Sequence, residues 1–125
     1  MEAPQELAGL RVTVDAVVHN PQLDAPPDRP HPFVYYVTIH NESDRVVTIK
    51  GRKWVVTDAK GGKLIVEGDG VVGKTPRLLP GEKFSYNSYH TISCDSVAEG
   101  AYLGMDDRDQ CLVVRIPRFE LKCPV

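Results

Sequence analysis

The chain has 125 residues, with 15 basic and 17 acidic side chains, a formal net charge of −2 and 42% hydrophobic residues. That length fits one domain with a core large enough to stand without staples. The near balance of charge excludes a global basic field for nucleic acid, and no run approaches the ~18 apolar residues that span a bilayer.

Residues 1–10 contain Glu2 and Glu6 and no apolar stretch. They do not read as a signal peptide, and a cytoplasmic protein is expected. Cys94, Cys111 and Cys123 are odd in number and widely spaced, so reduced thiols are expected. The expected organisation is a tail over 1–9, one domain over 10–121 and a short surface tail over 122–125.

The first element follows at once. Val12, Val14, Ala16 and Val18 alternate with Arg11, Thr13, Asp15 and Val17, which predicts a strand with the first set facing inward. Residues 21–32 hold five prolines and little that is apolar, and read as an exposed loop. Phe33, Tyr35, Val37 and Ile39 form the inward face of a second strand, with Tyr36, Thr38 and His40 opposite. Asn41-Glu42-Ser43-Asp44 looks like a hairpin turn. Val47 and Ile49 lead to Trp54 and Val56 with a change of phase at Gly51, which predicts a bulge there. Trp54 is expected to anchor the core between two sheets.

Asp58 to Gly62 reads as a hairpin turn and Lys63 to Glu67 as the next strand. Leu79-Pro80-Gly81-Glu82 places Pro and Gly as a type II turn requires. Phe84 and Tyr86 mark a further strand. Asp106 to Asp109 is a polar turn, and Leu112, Val114 and Ile116 form the last long strand before Pro117. No window shows capped helical periodicity. The reading is all-β: an antiparallel sandwich of seven to eight strands.

The sharpest motif is Gly68-Asp69-Gly70-Val71-Val72-Gly73. It matches G-x-G-x-x-G, and with Lys74-Thr75 it also matches a P-loop string. Both motifs need a helix after the glycines, whose N-terminal amides hold phosphate. Pro76 and Pro80 forbid an ordinary helix here. A structural loop is the preferred reading. An anion-binding nest built from Gly68, Gly70, Gly73 and Lys74 is the alternative.

His19, His31, His40 and His90 lie on separate segments without ligand spacing, so no metal site is expected. Ser85, Ser88, Ser93 and Ser96 lack a nucleophile elbow and a base, so no catalytic residue is assigned. The short basic run at Lys50-Gly51-Arg52-Lys53 reads as a solvated strand face. No cofactor is expected.

Taken in order, Gly51-Arg52-Lys53-Trp54, Glu67 to Gly73, Pro76, Leu79-Pro80-Gly81-Glu82, Phe84-x-Tyr86 and Ile116-Pro117-x-Phe119-x-Leu121 resemble the ApaG domain family over Leu10 to Leu121. The resemblance implies an immunoglobulin- or fibronectin-III-like sandwich. Members occur as free-standing bacterial proteins and as domains of F-box and polymerase-δ-interacting proteins, where the domain is regarded as a protein-interaction module. It also implies a link to cobalt and magnesium efflux in bacteria and a suggested affinity for pyrophosphate. Here Tyr86-Asn87-Ser88 runs into Tyr89-His90-Thr91-Ile92, without the Thr-Pro stretch usual in the family.

The functional expectation is a non-catalytic interaction domain whose partner is another protein, with no nucleic acid, no membrane, and a monomer or weak homodimer. Candidate contacts are Asp69, Val71, Val72, Tyr89 and His90. The alternative is a nucleotide-, pyrophosphate- or metal-binding sensor built on the 68–75 loop.

Overall fold

The structure is a computed structural model and describes residues 3–124. Its strands are β1 (Leu10–His19), β2 (His31–Asn41), β3 (Val47–Asp58), β4 (Lys63–Asp69), β5 (Arg77–Leu78), β6 (Lys83–Ile92), β7 (Ser96–Asp106) and β8 (Cys111–Leu121). They form two antiparallel sheets. One has the order β1-β2-β6. The other has the order β4-β3-β7-β8, and β5 continues the β4 side of β3. No helix occurs among the described residues.

Alternation accounts for most of the core. Phe33, Tyr35, Val37 and Ile39 of β2 are buried, as are Val47, Ile49, Trp54 and Val56 of β3. The phase change in β3 lies where the sequence places it: pairing with β7 shifts between Ile49 and Gly51, with Lys50 as the extra residue. The turn at Leu79 to Glu82 closes with the Glu82 amide on the Leu79 carbonyl at 2.9 Å, and Gly81 takes a positive φ. Asp58 caps the β3–β4 hairpin by accepting the amides of Lys60 and Gly62.

β1 departs from its predicted face. Its register with β2 shifts between Val14 and Ala16, leaving Asp15 as an extra residue. A one-residue insertion reverses every side chain beyond it. Val12 is buried and Val14 packs on the core, but past Asp15 it is Val17 that packs inward. Ala16 and Val18 turn outward, and Val18 is 49% exposed.

Two further expectations change. Asn41 to Asp44 is no hairpin turn: β2 and β3 belong to different sheets, so this segment is a corner. Asn41 is fully buried there. Its side-chain amide donates to the carbonyls of Arg45 and Leu78, and its oxygen accepts the Ser43 amide and hydroxyl. The second change is β7, which no sequence pattern marked. It is an inner strand of the larger sheet, between β3 and β8. Glycine is required where it comes closest to the β3 backbone. A Cβ on Gly100 would stand 2.3 Å from the Lys53 carbonyl oxygen. β8 bulges opposite Glu99, where Pro117 and Arg118 face one residue, a position that tolerates the missing proline amide.

The segment before Leu10 is also tied down. Gln5 bridges in parallel to Leu112 of β8, donating to the Cys111 carbonyl and accepting from Val113. At that flank β1 lies close against β8. On the other side of the sandwich β6 packs over β3 and β7, through His90 against Trp54 and Tyr86 against Tyr102. β4 lies beyond β3, on the side away from β7. Its inner side chains Leu64 and Val66 are only half-buried.

The close approach at Gly100 makes it the most sensitive position of β7. Gly100→Ala is expected to lower stability by ~1–3 kcal/mol through backbone displacement. A shift of the urea midpoint at unchanged slope measures this. A midpoint equal to that of the wild type refutes it.

Candidate interaction surfaces

The glycine loop is built by β-geometry. β4 ends at Asp69, and no helix follows. Val71 and Lys74 exchange backbone hydrogen bonds at 2.7 and 3.0 Å, with Val72 (φ 51°) and Gly73 (φ 76°) between them. Two positive φ values in a two-residue loop define a type I′ turn. Gly70 (φ 65°) approaches Lys74 so closely that a Cβ would lie 2.4 Å from its carbonyl oxygen. Gly68 makes room for the Arg52 guanidinium, which would stand 2.8 Å from a Cβ there. That guanidinium donates to the carbonyls of Asp69 and Gly70 at 2.9 and 3.1 Å.

This arrangement weakens the anion-nest reading. The Gly70 amide donates to Lys50, and the amides of Val71 and Lys74 donate to each other's carbonyls. Those three amides are committed within the fold and are not available to a phosphate. Val72 is the anomaly. It is a β-branched residue in the left-handed region, 56% exposed, at a position that asparagine or glycine would occupy without strain.

A second surface is the outer face of the smaller sheet. The Asp15 bulge turns Ala16 and Val18 into line with outward residues of β2 and β6. Val18 pairs with Val34 and Val34 with Tyr89; Ala16 pairs with Tyr36 and Tyr36 with Asn87. Tyr36 (41% exposed) and Tyr89 (40% exposed) are diagonal neighbours across two strands. The bulge has a visible anchor: the Asp15 carboxylate accepts the Thr38 hydroxyl at 2.6 Å and the Thr13 hydroxyl at 2.9 Å. The Thr38 bond, with Thr13 and the charges of His40 and Lys83, holds this carboxyl below the usual range despite some desolvation. On the larger sheet, Ile65 and Leu103 are exposed among charged neighbours such as Lys53, paired to Glu67.

The core between the sheets is aromatic. Tyr35 stacks on His90 with ring centroids 4.7 Å apart and meets Trp54 at 4.7 Å; His90 meets Trp54 edge-on at 4.8 Å. The Tyr86 and Tyr102 hydroxyls hydrogen-bond, and burial pushes both phenols up. His90 Nε2 and Trp54 Nε1 are buried without a hydrogen-bond partner. Burial lowers the His90 pKa to about 4.

Of the predicted contact residues, Asp69, Val72 and Tyr89 are exposed. Val71 and His90 are not available: Val71 is 0% exposed beneath the turn, and His90, at 6%, faces the core because β6 alternates about Tyr89. Exposed Gly73 and Lys74 sit in the turn, with Gly68 and Gly70 below it. The histidines converge more than their spacing suggested, since His19 and His31 meet across the β1–β2 hairpin at 6.2 Å. Even so, no group of three or more His, Cys, Asp or Glu side chains suited to a metal forms among the described residues. Alternation placed Tyr36 on the outer side of β2 but kept Val18 inward. Only the bulge at Asp15 aligns them with Tyr89.

The sequence profile of the ApaG domain matches residues 21–105. The protein ApaG of Vibrio cholerae is 38% identical over 93 residues, 74% of each chain. That of Deinococcus radiodurans is 37% identical over 111 residues, 88% of this chain and 86% of its own. A solved structure from Bordetella pertussis, described as an ApaA protein, superposes with a TM-score of 0.83 at 30% identity, covering 97% of this chain and 98% of the other. The chain belongs to the ApaG domain family.

Two outcomes follow from these environments. Val72→Asn relieves a strained turn and is expected to raise stability by roughly 1 kcal/mol, read from chemical denaturation; an unchanged or lower midpoint refutes the strain. His90 is neutral in the folded protein down to about pH 4, whereas the unfolded chain takes up a proton below about pH 6.5. Stability is therefore full above pH 6.5 and falls as pH drops towards 4, by up to roughly 3 kcal/mol. Unfolding measured across that window shows this slope in the wild type and loses it in His90→Phe. A slope that persists in the variant assigns it elsewhere.

Proposed function

We propose that this ApaG-family chain is a non-catalytic protein-interaction domain. The observation that carries this reading is the outward row of Val18, Val34, Tyr36 and Tyr89. Strict alternation would have kept Val18 on the core side of β1. The bulge at Asp15, held by Thr38 and Thr13, places it on the surface beside two exposed tyrosines instead. Side chains displaced from the core to a contiguous exposed patch mark a binding face, and tyrosine is enriched where interfaces concentrate their energy.

The polar end of the same face supports recognition rather than catalysis. Thr13 lies 3.0 Å from His40 Nε2 and donates to Asp15 directly. A nucleophilic site needs the carboxylate behind the imidazole, orienting it as a base, and here the carboxylate binds the hydroxyl itself. In a cytoplasmic setting, the cobalt and magnesium link that the family resemblance implies would run through the bound partner.

The test is a capture experiment from native lysate with Tyr36→Glu/Tyr89→Glu against the wild type, both checked for equal folding by thermal unfolding. The expected result is loss of a reproducible set of bound proteins. Identical sets from the two baits remove this face from the function.

A further inference from the structure

We infer that the free edge of β6 is a receptor for one added β-strand, supplied by an extended segment of another protein with apolar side chains at alternate positions. This rests on the interaction reading above and adds a second contact, at the sheet edge beside the tyrosine face, with its partner class.

The edges of the two sheets are not alike. β1 carries the Asp15 bulge and lies against β8. β8 is broken by the Pro117–Arg118 bulge and has Gln5 laid on its beginning. β4 is seven residues long and carries Lys63, Glu67 and Asp69. These are the devices by which edges resist pairing: bulges, cover and charge. β6 lacks bulge and charge, and the proline loop reaches it only at Tyr89 and Thr91. Its ten residues pair with β2 without a register shift, and no proline or charged residue occurs between Phe84 and Ile92.

The direction of its unpaired backbone groups follows from the register. The Asn41 amide donates to the Glu82 carbonyl, which sets the phase of the β2–β6 ladder. Antiparallel pairing alternates. Phe84, Tyr86, Ser88 and His90 therefore direct their backbone groups to β2, and Ser85, Asn87 and Tyr89 direct theirs away. Pro32 agrees with this phase. It stands opposite Thr91, and its carbonyl accepts the Asn20 amide on the β1 side.

The place beside β6 is also roofed. β6 packs on β3 through His90 and Trp54 and on β7 through Tyr86 and Tyr102, so β4, which lies beyond β3, overhangs the free edge of β6. Leu64 and Val66 face that gap half-buried. A cavity of about 270 Å³ lies at its far end, lined by Lys63 and Leu64 on one side and Thr91 and Ile92 on the other. The proline loop closes this end, with Arg29 donating to the Thr91 hydroxyl at 3.3 Å and the Tyr89 hydroxyl donating to the Asp24 carbonyl at 3.0 Å.

The overhang selects the occupant. A lone strand fits beneath β4. A second copy pairing β6 to β6 would bring its own larger sheet into the place β4 holds. The incoming segment needs apolar side chains at alternate positions, to cover Leu64 and Val66. Backbone bonds supply the rest of the recognition.

The experiment selects a random peptide library displayed on phage against the folded domain and measures the recovered peptides by calorimetry. Binding through edge amides is expected to survive Asn87→Ala and to weaken roughly tenfold or more in Asn87→Pro, which removes one outward donor but no β2 bond. Amide hydrogen exchange on the unaltered protein gives the same answer without mutation: Ser85, Asn87 and Tyr89 become protected on peptide binding. Equal affinity for Asn87→Pro, or protection elsewhere, overturns the β6 assignment while leaving an interaction domain. Recovery of no binding peptide overturns it as well, and the Tyr36/Tyr89 capture then stands as the independent check on the broader reading. A concentration-dependent dimer abolished by Asn87→Pro overturns the lone-strand occupant in favour of self-pairing.

Discussion

The contact among Tyr35, Trp54 and His90 sets the relation between the two sheets. Three rings from β2, β3 and β6 meet at centroid distances of 4.7 to 4.8 Å, tilted, stacked and edge-on. Such pairs contribute ~0.5–1.5 kcal/mol each beyond the area they bury. More important is what they align. With β6 held over β3 and β7, the smaller sheet ends before the larger one does. The uncovered β4 and the bare edge of β6 are consequences of where these rings meet. The unpartnered Trp54 and His90 nitrogens show that this packing tolerates two buried ring nitrogens without hydrogen bonds.

Single extra residues then decide which side chains see water. In β3 the phase change was legible, because Ile49 and Trp54 cannot share a face without an insertion near Gly51. In β1 it was not. Clean alternation is lost there: Ala16, Val17 and Val18 form an unbroken apolar run, so either phase looks acceptable locally. The choice is made by Thr38, a residue on another strand, whose hydroxyl reaches the Asp15 carboxylate. The corner at Asn41 was hidden for a similar reason. Polar turn residues look the same whether the chain folds back in one sheet or crosses to the other, and only the buried partners of the Asn41 side chain distinguish them. β7 escaped because Gly100 and Gly104, which close approach to the β3 backbone requires, read as breaks in a strand pattern.

The glycine run shows how a motif string separates from its chemistry. Gly68 accommodates the Arg52 guanidinium, Gly70 allows a backbone crossing and Gly73 completes a type I′ turn. Each requirement is local and steric. Together they produce the spacing of a nucleotide loop, while the amides of Gly70, Val71 and Lys74 serve carbonyls of the same chain. The prolines at 76 and 80 were sufficient, in the sequence alone, to rule out the helix. Which of Val71 and Val72 would be buried was not legible, since turn type decides it and neighbouring valines look alike.

The ties at Gln5 bear on how such a domain can be carried. Gln5 rests on the start of β8, and at the other end of β8 the Cys123 amide reaches the Asp95 carboxylate. The two described ends are thus anchored at opposite ends of β8, one at the flank where β1 meets β8 and the other at the β6–β7 connection, whose Asp95 carbonyl also accepts the Ala59 amide of the β3–β4 turn. A pull applied between them would run along the length of β8 and be shared with the turns at its far end.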